Sequence, residues 1–184
     1  MIILNLTLKG IYGFDDFHIN FSYPKKIVNS IIEHEHLEGR ERFRYKKAVI
    51  LMGANASGKT SLGKALLRIF GFMIDGNAAP LFEMSAGEHG YVSIDFVNGD
   101  TRLQRLNIQI DTVRQETDIQ YLTADIDMMD SYEKCVTKLK DRTAEATKTA
   151  TALKKLIGPV HYRFAYPEIE KTLKLTGANK QVLL

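Results

Sequence analysis

A single cysteine, Cys135, has nothing within the chain to pair with, which excludes an internal disulfide and sets the expected compartment as the reducing cytoplasm. Packing is its expected role. No apolar stretch approaches the roughly 18 residues that a membrane span needs, so no membrane partner is expected. The opening MIILNLTLKG lacks a basic leader and a small-residue cleavage site, and nothing in it directs export. A large excess of one charge is also missing. The net charge of +3 is too small to diagnose a nucleic-acid protein. Basic residues gather at Arg40, Arg42, Arg44, Lys46 and Lys47, and again from Lys134 to Lys155. They read first as solvated surface, with nucleic acid as the lesser alternative. No internal repeat is found. What is there is an ordinary globular composition, 45% hydrophobic and 26% charged. A single domain of this length hides roughly 70 per cent of the surface its unfolded chain exposes.

Against this plain background one segment stands apart. Residues Gly53 to Thr60 read GANASGKT and satisfy the phosphate-loop pattern G-x-x-x-x-G-K-[ST] without a mismatch. The apolar run Ala48-Val49-Ile50-Leu51-Met52 precedes it and is expected to be a buried strand. The stretch SLGKALLRIFGF follows, with Leu62, Ala65, Leu66, Ile69 and Phe70 at helical spacing. Gly53 and Gly58 give the loop backbone angles that other residues resist, so that the amides of Ala54, Asn55, Ala56, Ser57, Gly58 and Ser61 can turn around phosphate oxygens. Lys59 brings a point charge to the outer phosphates. The Thr60 hydroxyl is the expected protein ligand of Mg²⁺, which keeps most of its waters and takes other oxygens from the phosphates. The positive end of the helix faces the anion. A magnesium-bound nucleoside triphosphate, ATP, is therefore the expected ligand.

Along the rest of the chain, Ile2, Leu4, Leu6 and Leu8 alternate as a first strand, and Phe17, Ile19 and Phe21 as a second. Residues 25 to 44 read as a short helical turn and an exposed polar connection, in which His34 and His36 among Glu33, Glu35 and Glu38 form no fixed metal site. Val92, Ile94 and Phe96, the turn pair Asn98-Gly99, then Leu106, Ile108 and Ile110 predict an antiparallel hairpin, with Ile119 and Tyr121 on a third strand. A long helix is expected from Ser131 to Ile157, stopped by Gly158-Pro159, with a strand from Val160 to Ala165 beyond. The organisation is a single lobe: residues 1–75 with the first strands, phosphate loop and helix; 76–125 as an antiparallel β-subdomain; 126–184 as long helix and tail. The fold class is α/β.

Strand, Gly-Phe loop, strand, polar connection and GANASGKT, in that order, resemble the N-terminal lobe of ABC-type ATPases. The branch is that of RecF, the SMC proteins and the OLD-like AAA-family ATPases of anti-phage systems, whose loops commonly read G-x-N-x-S-G-K-[ST]. The resemblance implies an incomplete ABC-type head that hydrolyses ATP between two nucleotide domains, in DNA repair or phage defence. It also implies a homodimer or a completing lobe as partner. It places Tyr12 and Phe14 near the base. A strand of apolar residues ending Asp-Glu is missing, and Asp95, Asp125 and Asp127 read as solvent-facing strand or loop residues. Met84-Ser85-Ala86-Gly87-Glu88 imitates the family signature L-S-x-G-[QE] but runs straight into an alternating strand, so a loop is expected there. The catalytic residues stay unassigned, and truncation is the natural expectation. A small-molecule kinase and a non-catalytic nucleotide-sensing module are the alternatives.

Overall fold

The computed structural model describes residues 1–23, 35–99 and 101–141, together with the backbone of 145–147. Strand β1 (Ile2–Lys9) pairs antiparallel with β2 (Phe17–Asn20) on one side and with β5 (His89–Val97) on the other. Strands β6 (Arg102–Asp111), β7 (Glu116–Asp125) and β8 (Glu145–Thr147) continue the sheet, giving the order β2-β1-β5-β6-β7-β8 with every described pairing antiparallel. The expected N-terminal strands and β-meander are therefore one sheet, with β1 inside it. The link from β5 to β6 begins at Asn98-Gly99, where Gly99 takes a positive φ of 72°, but the register, with Phe96 opposite Gln104, makes it longer than the expected two-residue turn.

Period-two alternation decides what each face buries. Leu6, Leu8, Val92, Ile94, Phe96, Leu106, Ile108, Ile110, Ile119 and Tyr121 form one apolar face. Helix α1 (Lys59–Asp75) lays Leu62, Ala65, Ile69, Phe72 and Met73 on it. Gly76 stops this helix in the left-handed conformation, its amide donating to the Phe72 carbonyl at 2.8 Å. A short helix, α2 (Ala79–Phe82), adds Leu81. The apolar row of β1 does not stay on one face. Ile3 pairs with Phe96 and Asn5 with Asp95, so Leu4 is the extra residue of a bulge. Leu4 consequently joins a second core on the opposite face, with Val97, Leu103, Ala124, Phe43, Ile126, Tyr132, Cys135 and Leu139.

That second core has two covers. One is a hairpin of β3 (His36–Leu37) and β4 (Arg40–Arg44), which inserts Phe43. The segment expected to be an exposed connection thus contains a strand pair; the helical turn expected earlier in it lies outside the described residues. The other cover is helix α3 (Tyr132–Lys140), opened by the Ser131 hydroxyl, which accepts from the Lys134 amide. The expected helix from Ser131 to Ile157 is corrected here: α3 ends at Lys140, and residues 145–147 pair with β7. The run TAEATKTAT is rich in β-branched Thr, a poor helix former, and the open ladder of β7 offers backbone partners to residues 145–147. The strand expected at Val160–Ala165 lies outside the described residues.

The buried strand expected before the phosphate loop is also corrected. Residues 48 to 52 belong to no strand among the described residues, and Ile50 and Met52 are 84% and 88% exposed. The antiparallel sheet closes its central positions with β1 and β5, and no place within it is left for this run. The chain is mixed α/β with a mainly antiparallel sheet, and the expected core strand in front of the loop is not part of it.

Candidate functional site

Helix α1 supplies the start of the site. Its N-cap is Gly58 at φ 85°, no side chain caps it, and no acidic residue stands in its first turn. The first-turn amides are therefore left without side-chain acceptors, which gives this end its affinity for anions. The Leu62 amide is already satisfied by the Gly58 carbonyl at 2.9 Å. Glycine is required at 58 twice over: by the positive φ, and because an added Cβ would stand 3.0 Å from the Phe14 ring.

Gly53 does not supply the backbone angle that the sequence suggests. Its backbone is not left-handed, but a Cβ there would meet Ser57 Oγ at 2.8 Å. The left-handed residue inside the loop is Ala56, at φ 63°, an uncommon conformation for a residue with a side chain. The Lys59 ammonium closes the loop on itself, donating to the carbonyls of Gly53 and Ala54 at 2.7 Å each and to Ser57 Oγ at 3.0 Å. Asn55, Ala56, Ser57, Gly58, Lys59, Thr60 and Ser61 line a cleft of about 500 Å³. Tyr12, Gly13 and Phe14 form its other wall. Gly53 and Ala54 stand behind the cleft, holding the ammonium.

The wall is a tight turn. Ile11 and Phe14 exchange backbone hydrogen bonds at 3.3 and 2.7 Å around Tyr12 and Gly13, which have φ of 46° and 82°. Two consecutive positive φ values define the turn favoured between antiparallel strands, and Tyr is an unusual residue for the first of them. The signature-like segment lies against this turn. Tyr12 N donates to the Met84 carbonyl at 2.9 Å and Ala86 N to the Gly10 carbonyl at 2.8 Å.

The candidate carboxylates are elsewhere. Asp95 is fully buried on the α3 side of the sheet, which corrects its expected exposure. Arg105, directly opposite on β6, binds it in fork geometry through Nε at 2.6 Å and Nη2 at 2.7 Å, and the Tyr132 hydroxyl donates at 2.6 Å. Both oxygens are thus engaged. The Tyr132 phenol is pushed well above its ordinary pKa, first by burial and then by the Asp95 charge. Asp125 and Asp127 are exposed, and Asp127 pairs with Lys138 at 2.8 Å. No carboxylate is among the residues lining the loop cleft, and no cluster of metal-ligating side chains occurs among the described residues. A larger cleft, of about 1000 Å³, opens at the far end of β5 and the β6-β7 turn, with acids and bases mixed along it.

Sequence reasoning missed the Asp95, Arg105 and Tyr132 cluster. The hairpin was legible but its register was not: Asn98-Gly99 taken as a two-residue turn would set Asp95 opposite Arg102, whereas the observed register sets it opposite Arg105. Among the described residues no helix is long and apolar enough to cross a membrane. Comparison with protein-family models and with curated proteins finds no match to this chain.

Proposed function

We propose that the chain binds Mg-ATP at the loop from Gly53 to Ser61, as one lobe of an ABC-type ATPase. The observation that carries the reading is an uncapped helix start, with Lys59 and Thr60 at its mouth, opening into a cleft beside a complete GKT loop. A connecting turn gains nothing from leaving amides uncapped next to a lysine. Thr60 is exposed at the helix start, where a hydroxyl can reach a cation held by phosphate. Mg²⁺ bound there would neutralise charge between the outer phosphates. Phosphate entry replaces the three hydrogen bonds that Lys59 now makes to its own loop.

Hydrolysis on this reading needs groups from completing or partner sequence, in a second copy or another lobe. Two features favour it: no carboxylate among the described residues lines the cleft, and the run from Val49 to Met52 exposes four large apolar side chains. Continuous apolar runs suit strands covered on both faces. The same lack of a carboxylate supports the second reading, a non-catalytic nucleotide-sensing module. A phosphoryl-transferring small-molecule kinase draws no support from a loop set behind two strands. Direct nucleic-acid contact, repair and phage defence rest on the resemblance alone.

Titration calorimetry tests the site. Lys59→Ala is expected to weaken Mg-ATP binding at least about tenfold, a charged hydrogen bond contributing about 1.5–3 kcal/mol. Thr60→Ala is expected to remove chiefly the magnesium-dependent part. Unchanged affinity in both variants would contradict the assignment.

A further inference from the structure

We infer that the segment Met84–Ala86 is a latch that positions the Ile11–Phe14 turn against the phosphate loop, and so sets polyphosphate affinity from outside the loop itself. The inference rests on the proposed phosphate site and adds a positioning element to it. Two backbone hydrogen bonds make the latch. Tyr12 N donates to the Met84 carbonyl at 2.9 Å and Ala86 N donates to the Gly10 carbonyl at 2.8 Å, which together set Ile11 opposite Ser85 as an antiparallel bridge. The Ser85 hydroxyl, with one proton to donate, lies 3.3 Å from the Gly87 carbonyl and 3.5 Å from the Gly10 carbonyl, both long for a hydrogen bond. Ile11 and Met84 are both buried, so the latch is rooted in the core rather than lying on it.

The fit leaves no slack. A Cβ on Gly10 would stand 2.7 Å from the His89 carbonyl oxygen, and one on Gly90 would stand 2.9 Å from Ser85 Oγ and 3.0 Å from Ile11 Cδ1. Beyond the turn, Phe14 carries the constraint onward, because its ring lies against the Gly58 position and packs on Phe17 with ring centroids 4.8 Å apart and planes tilted by 39°. Tyr12 keeps its left-handed backbone, unfavourable for an aromatic residue, while Ile11 and Phe14 on either side of the turn are held in this way. The latch is in turn tied to the helix it serves. It follows α2 directly, and Arg68 of α1 donates to the Pro80 carbonyl at 3.0 Å and to Glu83 at 2.6 Å. Helix, latch, turn and loop thus close a ring of contacts around the helix start. The residues that resemble a dimer signature act locally, since Ser85 is engaged within its own chain.

The test pairs calorimetry of inorganic tripolyphosphate with amide hydrogen exchange on the full chain. Ala86→Pro deletes the donor to Gly10, and Gly90→Val drives a side chain between Ser85 and Ile11. Each is expected to weaken tripolyphosphate binding about three- to tenfold, the effect of one lost hydrogen bond. Each is also expected to speed exchange at 11–14 and 54–61 while β6 and β7 keep their protection. Unchanged affinity in both variants, with Lys59→Ala still impaired, would overturn the latch and leave the phosphate site standing. Exchange rising equally across β6 and β7 would overturn it too, as a defect of the whole sheet. If the wild-type chain binds neither tripolyphosphate nor Mg-ATP, latch and site fall together.

Discussion

The charges that matter most for stability sit under α3, away from the phosphate loop. Asp95 is buried with both oxygens bound, and removing its guanidinium partner would strand a carboxylate in the core. Arg105→Ala is therefore expected to cost about 3–5 kcal/mol in denaturant unfolding, whereas exchanging the pair for apolar residues of similar size should cost far less. Asp130 makes a second buried ionic cluster. Burial alone would raise its pKa, but Lys134 and Lys138 and the Asp127 amide outweigh it, and the carboxyl is held well below the usual range. A depressed folded pKa stabilises above the ordinary value of 3.8 and loses that contribution as pH falls toward the folded one. Melting temperature should accordingly drop below about pH 4 in the wild type, and less steeply in Asp130→Asn. The Cys135 thiol, beside Asp130, is pushed up to about 12 by burial and by that charge, which suits a packing residue. Its structural role was legible from its being alone in the sequence. That of Asp95 was not, since an acidic residue in an alternating strand looks solvent-facing until its cross-strand partner is identified.

At the scale of elements, the amphipathic rows were the readable part. Leu62, Ala65 and Ile69 marked the inner face of α1, and β5, β6 and β7 followed from alternation around Asn98-Gly99. Ile69 is fully buried between helix and sheet, and Ile69→Ala is expected to cost about 2–5 kcal/mol, measured by urea unfolding. What propensity could not show was competition from tertiary partners. The β7 edge takes up residues 145–147 that otherwise extend a helical pattern, and the β3-β4 hairpin forms from the charged stretch RERFR because Phe43 has a core to enter. The bulge at Leu4 was equally hidden, since a strict alternation carries no mark of an inserted register. In the site, the sequence pattern marked the start of α1 and the cleft-lining stretch from Asn55 to Ser61, while the latch depends on contacts some 75 positions apart in sequence.

For the molecule as a whole, the antiparallel sheet supports α1 on one side only. The loop before the helix rises from an apolar run with Ile50 and Met52 in solvent. The expected core strand was misjudged because apolar composition alone does not bring a run into a sheet: residues 48–52 form no strand among the described residues. The central claim, that main-chain amides at the start of α1 and the Lys59 ammonium cradle a polyphosphate, is tested most directly by amide chemical shifts during titration with Mg-ATP. The account predicts large, saturable changes confined to Ala54 through Ser61 and the turn at Tyr12–Phe14, lost in Lys59→Ala. Saturable changes centred elsewhere, or none at millimolar ligand, would contradict it.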